Sequence, residues 1–103
     1  MTTFDDRQRA AEAKFAHDAD LRFKAEARRN RLLGEWAAGL LGLTGEEARA
    51  YSLSVVTADF EAPGEEDVAA KLLADLKGRA DEATIRAKMG ELRDVARAQV
   101  LAE

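Results

Sequence analysis

Apolar positions along the chain fall into four stripes of helical period, and the first stripe is unlike the rest. From Phe4 to Arg31 the large apolar residues are only Phe4, Phe15, Leu21 and Phe23, with alanine filling much of what lies between. From Leu32 the stripe thickens into Leu32, Leu33, Trp36, Leu40, Leu41 and Leu43. Alanine keeps helix propensity high while offering little surface to bury. Thr3 can cap a helix start, and Asp5 and Asp6 sit where the helix dipole favours acids. Acid-first pairs at i,i+4 (Asp5 with Arg9, Asp18 with Arg22, Asp20 with Lys24) add a few tenths of a kcal/mol each, about 0.2–0.5. The pattern predicts a first helix over 4–41, a rod of roughly 57 Å if unbroken. Its N-terminal half has too little apolar surface to be held by a core, so it must project, bend or fray. An isolated helix of about fifteen to twenty residues is marginal in water.

The other stripes are compact. Gly42 is placed as a C-cap. Thr44-Gly45-Glu46-Glu47 is a capping box opening a second helix over 45–61, with Ala48, Tyr51, Val55 and Phe60 on one side. Pro63-Gly64 breaks it. Glu65-Glu66-Asp67 opens a third helix to about Lys77, with Val68, Leu72, Leu73 and Leu76 inward. Gly78 ends that helix, and Asp81 caps a fourth running to about Leu101. There Ile85, Met89, Leu92 and Ala96 recur at helical spacing, Val100 extends the stripe and Val95 borders it. Gly90, in mid-helix, costs about 1 kcal/mol against alanine and is expected to mark a close helix approach. Connections of two to four residues make consecutive helices antiparallel neighbours. The expected fold is all-α, a four-helix bundle in one domain of residues 1–103, with 1–18 a mobile arm and 19–103 the bundle.

Composition narrows the function classes. The chain has 103 residues, 35% charged, with one proline and no cysteine. That length supports one modest core. Without cysteine there is neither a disulfide framework nor thiolate chemistry. A single histidine, His17, cannot build a zinc site. It reads as a solvated residue; a pH switch would have nothing beside it for support. No apolar run reaches the roughly 20 residues a membrane span needs, and the N-terminus lacks a secretory pattern. A cytoplasmic protein, monomeric when free, is expected. Residues 1–31 carry a net charge of +2 and residues 32–103 a net of −6. The acidic body is therefore a poor partner for nucleic acid. No carboxylate pair can be assigned to a shared buried site, so the chain is not expected to be an enzyme. Glu65-Glu66-Asp67 lacks the spacing of a calcium loop.

Several strings carry a resemblance. Phe4-Asp5-Asp6-Arg7, Lys14-Phe15-Ala16-His17-Asp18, the run Phe23 to Gly34 and Trp36-Ala37-Ala38 resemble the zeta subunit of alphaproteobacterial F-type ATP synthases. Val55 to Glu61 and Gly64-Glu65-Glu66-Asp67-Val68 are similar too. The likeness covers nearly the whole chain and is most specific in the N-terminal half. Gln8, Ala10 and Ala11 depart from the family pattern. The resemblance implies a four-helix bundle that inhibits ATP hydrolysis, with strength varying among members. Its N-terminal segment would enter a catalytic interface between alpha and beta subunits as a helix and reach the gamma subunit. Carried onto this sequence, the partner-binding residues are Phe4, Asp5, Asp6, Arg7, Lys14, Phe15 and His17. No cofactor is required. Weak binding of adenine nucleotide (ADP or ATP) is conceivable within the family.

The residues themselves fit such a role. A rod lodged in a closing interface blocks a rotary ATPase without chemistry of its own. Phe4 and Phe15, eleven residues apart, share a helix side and would anchor it. Arg7, Arg9 and Lys14 would meet carboxylates on the host. Ordering the arm costs entropy, so binding should be reversible. Arg22, Lys24, Arg28, Arg29 and Arg31 form a basic run that reads as a solvated face and is also where a phosphate would be sought, although no glycine-rich loop accompanies it. Two rival readings remain. One is a non-inhibitory adaptor or assembly protein of the ATP synthase. The other is a helical protein binding nucleic acid or anionic lipid through residues 22–31, which would show steep loss of binding with salt.

Overall fold

The structure, a computed structural model, describes Phe15 and residues 17–61 and 64–103. Among these residues, α1 spans Ala19–Leu40, α2 Gly45–Glu61, α3 Glu65–Asp75 and α4 Glu82–Ala102. α1 packs on α2 and α4, and α3 packs on the same two, so each helix has two neighbours around one core. The expected all-α four-helix bundle is the observed one. Its first helix is shorter than the apolar pattern reads. Asp18 takes extended backbone (φ −119°, ψ 103°) and its carboxylate accepts the Leu21 N–H at 3.1 Å. An aspartate that satisfies the open N–H groups of the following turn starts a helix there. α1 therefore begins at Ala19 and does not continue straight back through Asp18.

The stripes converge as their spacing predicts. Leu33 and Ala37 of α1, Val55 of α2, Val68, Ala69 and Leu72 of α3, Leu76 just beyond it, and Ile85 and Met89 of α4 form the main core. Trp36, Tyr51, Leu73 and Leu92 pack against it, half-buried. Each large side chain so buried contributes about 1.5–3 kcal/mol relative to exposure. Val95, at the border of the α4 stripe, is exposed.

Local chemistry sets the helix ends. Gly42 takes φ 75°, the left-handed conformation that costs glycine nothing, and the Leu43 N–H bonds back to the Ala38 carbonyl at 2.9 Å. That six-to-one bond closes a Schellman motif, as expected of this glycine. Asp81 caps α4 through the Thr84 N–H at 2.8 Å. The glycine expected to mark close packing is a different one. A Cβ placed on Gly90 meets nothing within 4 Å among the described residues, whereas one on Gly34 would lie 2.5 Å from the Ser52 Cα. The close approach is between α1 and α2, where the Ser52 hydroxyl donates to the Arg31 carbonyl at 2.8 Å.

Charged side chains tie neighbouring elements together. Arg86 on α4 forks onto Glu66 on α3 at 2.8 and 3.0 Å and also reaches Glu82. The Arg86 hydrogen bond, then its charge, hold the Glu66 carboxyl below its ordinary value. Hydrogen bonds from the Thr84 hydroxyl and N–H do the same for Asp81. At Asp75 burial pushes the carboxyl up, but hydrogen bonds from Lys71 and Tyr51 outweigh it and the net direction is down. All three carboxyls bind protons less tightly folded than unfolded. Their contribution is thus present above the unfolded values of 3.8–4.5 and is lost as pH falls through the lower folded values. The urea midpoint is expected to hold between pH 7 and 5 and to fall between pH 4 and 2. A midpoint unchanged at pH 2 would remove these contacts from the stability of the fold.

Candidate functional site

The chemistry singled out by the sequence gathers around the N-terminal end of α1. Phe4, Asp5, Asp6, Arg7, Arg9 and Lys14 lie outside the described residues. Phe15 and His17 are described, and both have helical backbone; Asp18 follows them in extended conformation. His17 is exposed, as read.

Phe15 corrects the expectation of an arm unable to settle on its own body. It is 2% exposed and packs with Ala25 of α1 and Val100 of α4, with Leu21 alongside. The Arg97 guanidinium stands over its ring, 5.5 Å from the centroid. The cause is the bend at Asp18. It returns the phenyl to the seam between α1 and α4, where Ala25 and Val100 leave room for a ring. Desolvating a phenyl there is favourable by about 1.5–3 kcal/mol, and a cation over its face adds about 0.5–1.

The basic run does not act as one surface. Neighbouring helix positions are about 100° apart around the axis, so consecutive arginines face different ways. Arg28 donates from Nη2 to both Glu103 carboxylate oxygens at 2.6 and 3.0 Å and from Nη1 to Gln99 at 2.8 Å, tying α1 to the end of α4. Arg29 is buried, donates twice to the Asn30 Oδ1 at 3.1 and 3.2 Å, and reaches Glu65 at 3.4 Å. The two Arg29 donors fix which end of the Asn30 amide is oxygen; its Nδ2 has no hydrogen-bond partner among the described residues. Arg31 lies 3.9 Å from Glu35. Arg22 and Arg29 line a cleft of about 550 Å³ that Phe15 borders, whereas Lys24, Arg28 and Arg31 line a separate depression with Phe23.

The cleft also holds Arg93 and Arg97, which the sequence reading passed over. They sit four residues apart, seven and three positions before Val100 at the end of the α4 stripe, and that spacing beside a terminal apolar position was the available signal. Four arginines face Glu26, Asp59 and Glu65 across the same opening. Such mixed charge suits salt-bridged docking between helices more than capture of a free anion. Among the described residues no group of His, Cys, Asp and Glu could hold a metal ion, and no helix is long and apolar enough to cross a membrane.

Comparison with known proteins agrees with this architecture. The family model described as ATPase inhibitor subunit zeta matches residues 1–99. A protein solved by solution NMR is 54% identical and superposes with a TM-score of 0.73, covering 80% of this chain and 96% of that one. No curated protein matches the chain.

Proposed function

The chain belongs to the ATPase inhibitor subunit zeta family, and from that premise we propose that it restrains ATP hydrolysis by an F-type ATP synthase through its N-terminal segment. Residues 1–18 enter a catalytic interface between alpha and beta subunits as a helix and reach the gamma subunit. Phe4, Asp5, Asp6, Arg7, Arg9, Lys14, Phe15 and His17 make the contacts. A catalytic interface must close in each cycle, and a rod lodged in it prevents closure without bond chemistry. The chain is then a non-catalytic subunit, held on the cytoplasmic side of the inner membrane by the synthase itself. Weak adenine-nucleotide binding, where it occurs, draws on the basic run of Arg22, Lys24, Arg28, Arg29 and Arg31, of which Arg22 and Arg29 line the cleft.

One observation supports the division into arm and body. Every described buried residue of the main core lies between Leu33 and Met89. The bundle therefore closes its core without a described contribution from residues before α1, and the segment ahead of it can be spent on a partner.

Deleting residues 1–18 tests the reading. The truncated chain is expected to keep its helical circular dichroism and a cooperative melt, and to lose suppression of ATP hydrolysis when titrated into the cognate ATPase. Equal inhibition by the truncated and full chains would end the arm reading. A full chain that binds at saturation yet leaves hydrolysis untouched would favour the adaptor. Binding that collapses steeply with salt would favour an anionic ligand.

A further inference from the structure

We propose that Phe15 is a latch that must open before the chain can inhibit. Its phenyl sits over Ala25 and Val100 and under Arg97, holding the root of the arm on the body of the free protein. The proposal rests on the arm reading above and adds a regulatory step to it.

Helix geometry carries the inference. Phe15 and Ala25 are ten residues apart in the chain. In one continuous helix they would be separated by about 15 Å along the axis and could not touch. They do pack together, and this requires the break at Asp18, whose backbone is extended and whose carboxylate caps α1. A straight rod running through Asp18 and the seated phenyl are therefore mutually exclusive. The chain can form the rod only by uncapping α1 and withdrawing the ring from between α1 and α4.

The seat is built to release. Among the described residues its buried members are Phe15, Ala25 and Val100, a cluster separate from the main core of Leu33 to Met89. Withdrawing one ring leaves that larger core untouched, so the latch can open while the bundle stays folded. The partner must then spend part of its binding energy on opening. The apparent affinity of a ligand is lowered by the fraction of protein in the competent state.

Substitutions on the body side test this without touching the arm. Val100→Ala removes apolar contact under the ring, and Arg97→Ala removes the guanidinium over it. Each weakens the hold on the seated ring, and Val100→Ala also thins the packing of α4 on Ala25 of α1. In full-length protein titrated into the cognate ATPase, the concentration for half-inhibition is expected to fall by up to roughly tenfold for Val100→Ala and roughly two- to fivefold for Arg97→Ala. Circular dichroism melts of both variants check that the bundle persists; Arg97, at the surface end of the contact, keeps the test alive if Val100→Ala unfolds. Half-inhibition at the same or a higher concentration in a folded variant would overturn the latch. The two readings fail separately. Loss of inhibition on deleting 1–18, with no gain from Arg97→Ala or Val100→Ala, sinks the latch and leaves the arm. Undiminished inhibition by the deletion sinks both.

Discussion

Leu72→Ala is expected to remove about 3–4 kcal/mol of stability, seen as a fall in melting temperature of roughly 15–20 °C. Leu72 is fully buried in the third helix and lies in the centre of the main core, among residues of all four helices. Two things are lost on truncation. The missing carbon atoms forfeit their transfer free energy, and the hole they leave costs a further amount that rises with its volume. The second cost is high here because the neighbours cannot easily move in. α3, with 11 residues, is the shortest of the described helices, and contacts near both its ends tether it. Near its N-terminus Glu66 is gripped by Arg86, and beyond its C-terminus Arg79 donates to the Leu40 carbonyl at 3.0 Å. A helix fixed at both ends does not slide to fill a gap. Against a total stability of about 5–15 kcal/mol for a domain of this kind, the loss brings the protein close to unfolding at physiological temperature. The measurement is a thermal or urea melt of purified protein. A drop below about 1 kcal/mol would mean that the core around Leu72 collapses freely.

Much of the bundle was legible because its determinants are local. Gly42 and Asp81 end and start helices through bonds to residues three to five positions away, and both were read from the sequence alone. The inward stripes of α3 and α4 needed only their period. What the sequence did not disclose depends on partners distant in the chain. Phe15 read as free because its seat is made by Val100, 85 residues later, and by a bend at Asp18. Asp18 itself read as the i,i+4 partner of Arg22, but a carboxylate beside open N–H groups satisfies the backbone first. The basic run looked continuous on paper. On the helix, Arg28 turns to the end of α4 while its neighbour Arg29 is buried against Asn30 and Glu65. Arg93 and Arg97 entered the cleft only once α4 was packed beside α1. The expectation of a close approach at Gly90 failed for the same reason, since the helix crossing decides which glycine meets a backbone.

That crossing gives alanine substitutions of opposite sign. In an open helix, glycine to alanine is favourable by about 0.8–1 kcal/mol, because alanine has less backbone freedom to lose on folding. At Gly34 the added methyl would lie 2.5 Å from the Ser52 Cα and 2.9 Å from its Oγ. The nearer atom is backbone of α2, and it cannot rotate away as a side-chain tip would. α1 and α2 must separate, which also stretches the 2.8 Å bond from the Ser52 hydroxyl to the Arg31 carbonyl. Overpacking of this kind costs about 1–3 kcal/mol or more, and the loss of this part-buried hydrogen bond adds up to about 1. These exceed the propensity gain, so Gly34→Ala is expected to lose about 2 kcal/mol net and roughly 10 °C in melting temperature. Gly39 and Gly90 lie in α1 and α4 with nothing among the described residues within 4 Å of the added atom. Gly39→Ala and Gly90→Ala are accordingly expected to raise the melting temperature by about 3–6 °C each. Three melts under one buffer decide the matter. If Gly34→Ala is as stable as the other two, the α1–α2 contact is looser than its geometry, and closeness at Gly34 does not hold those helices in place.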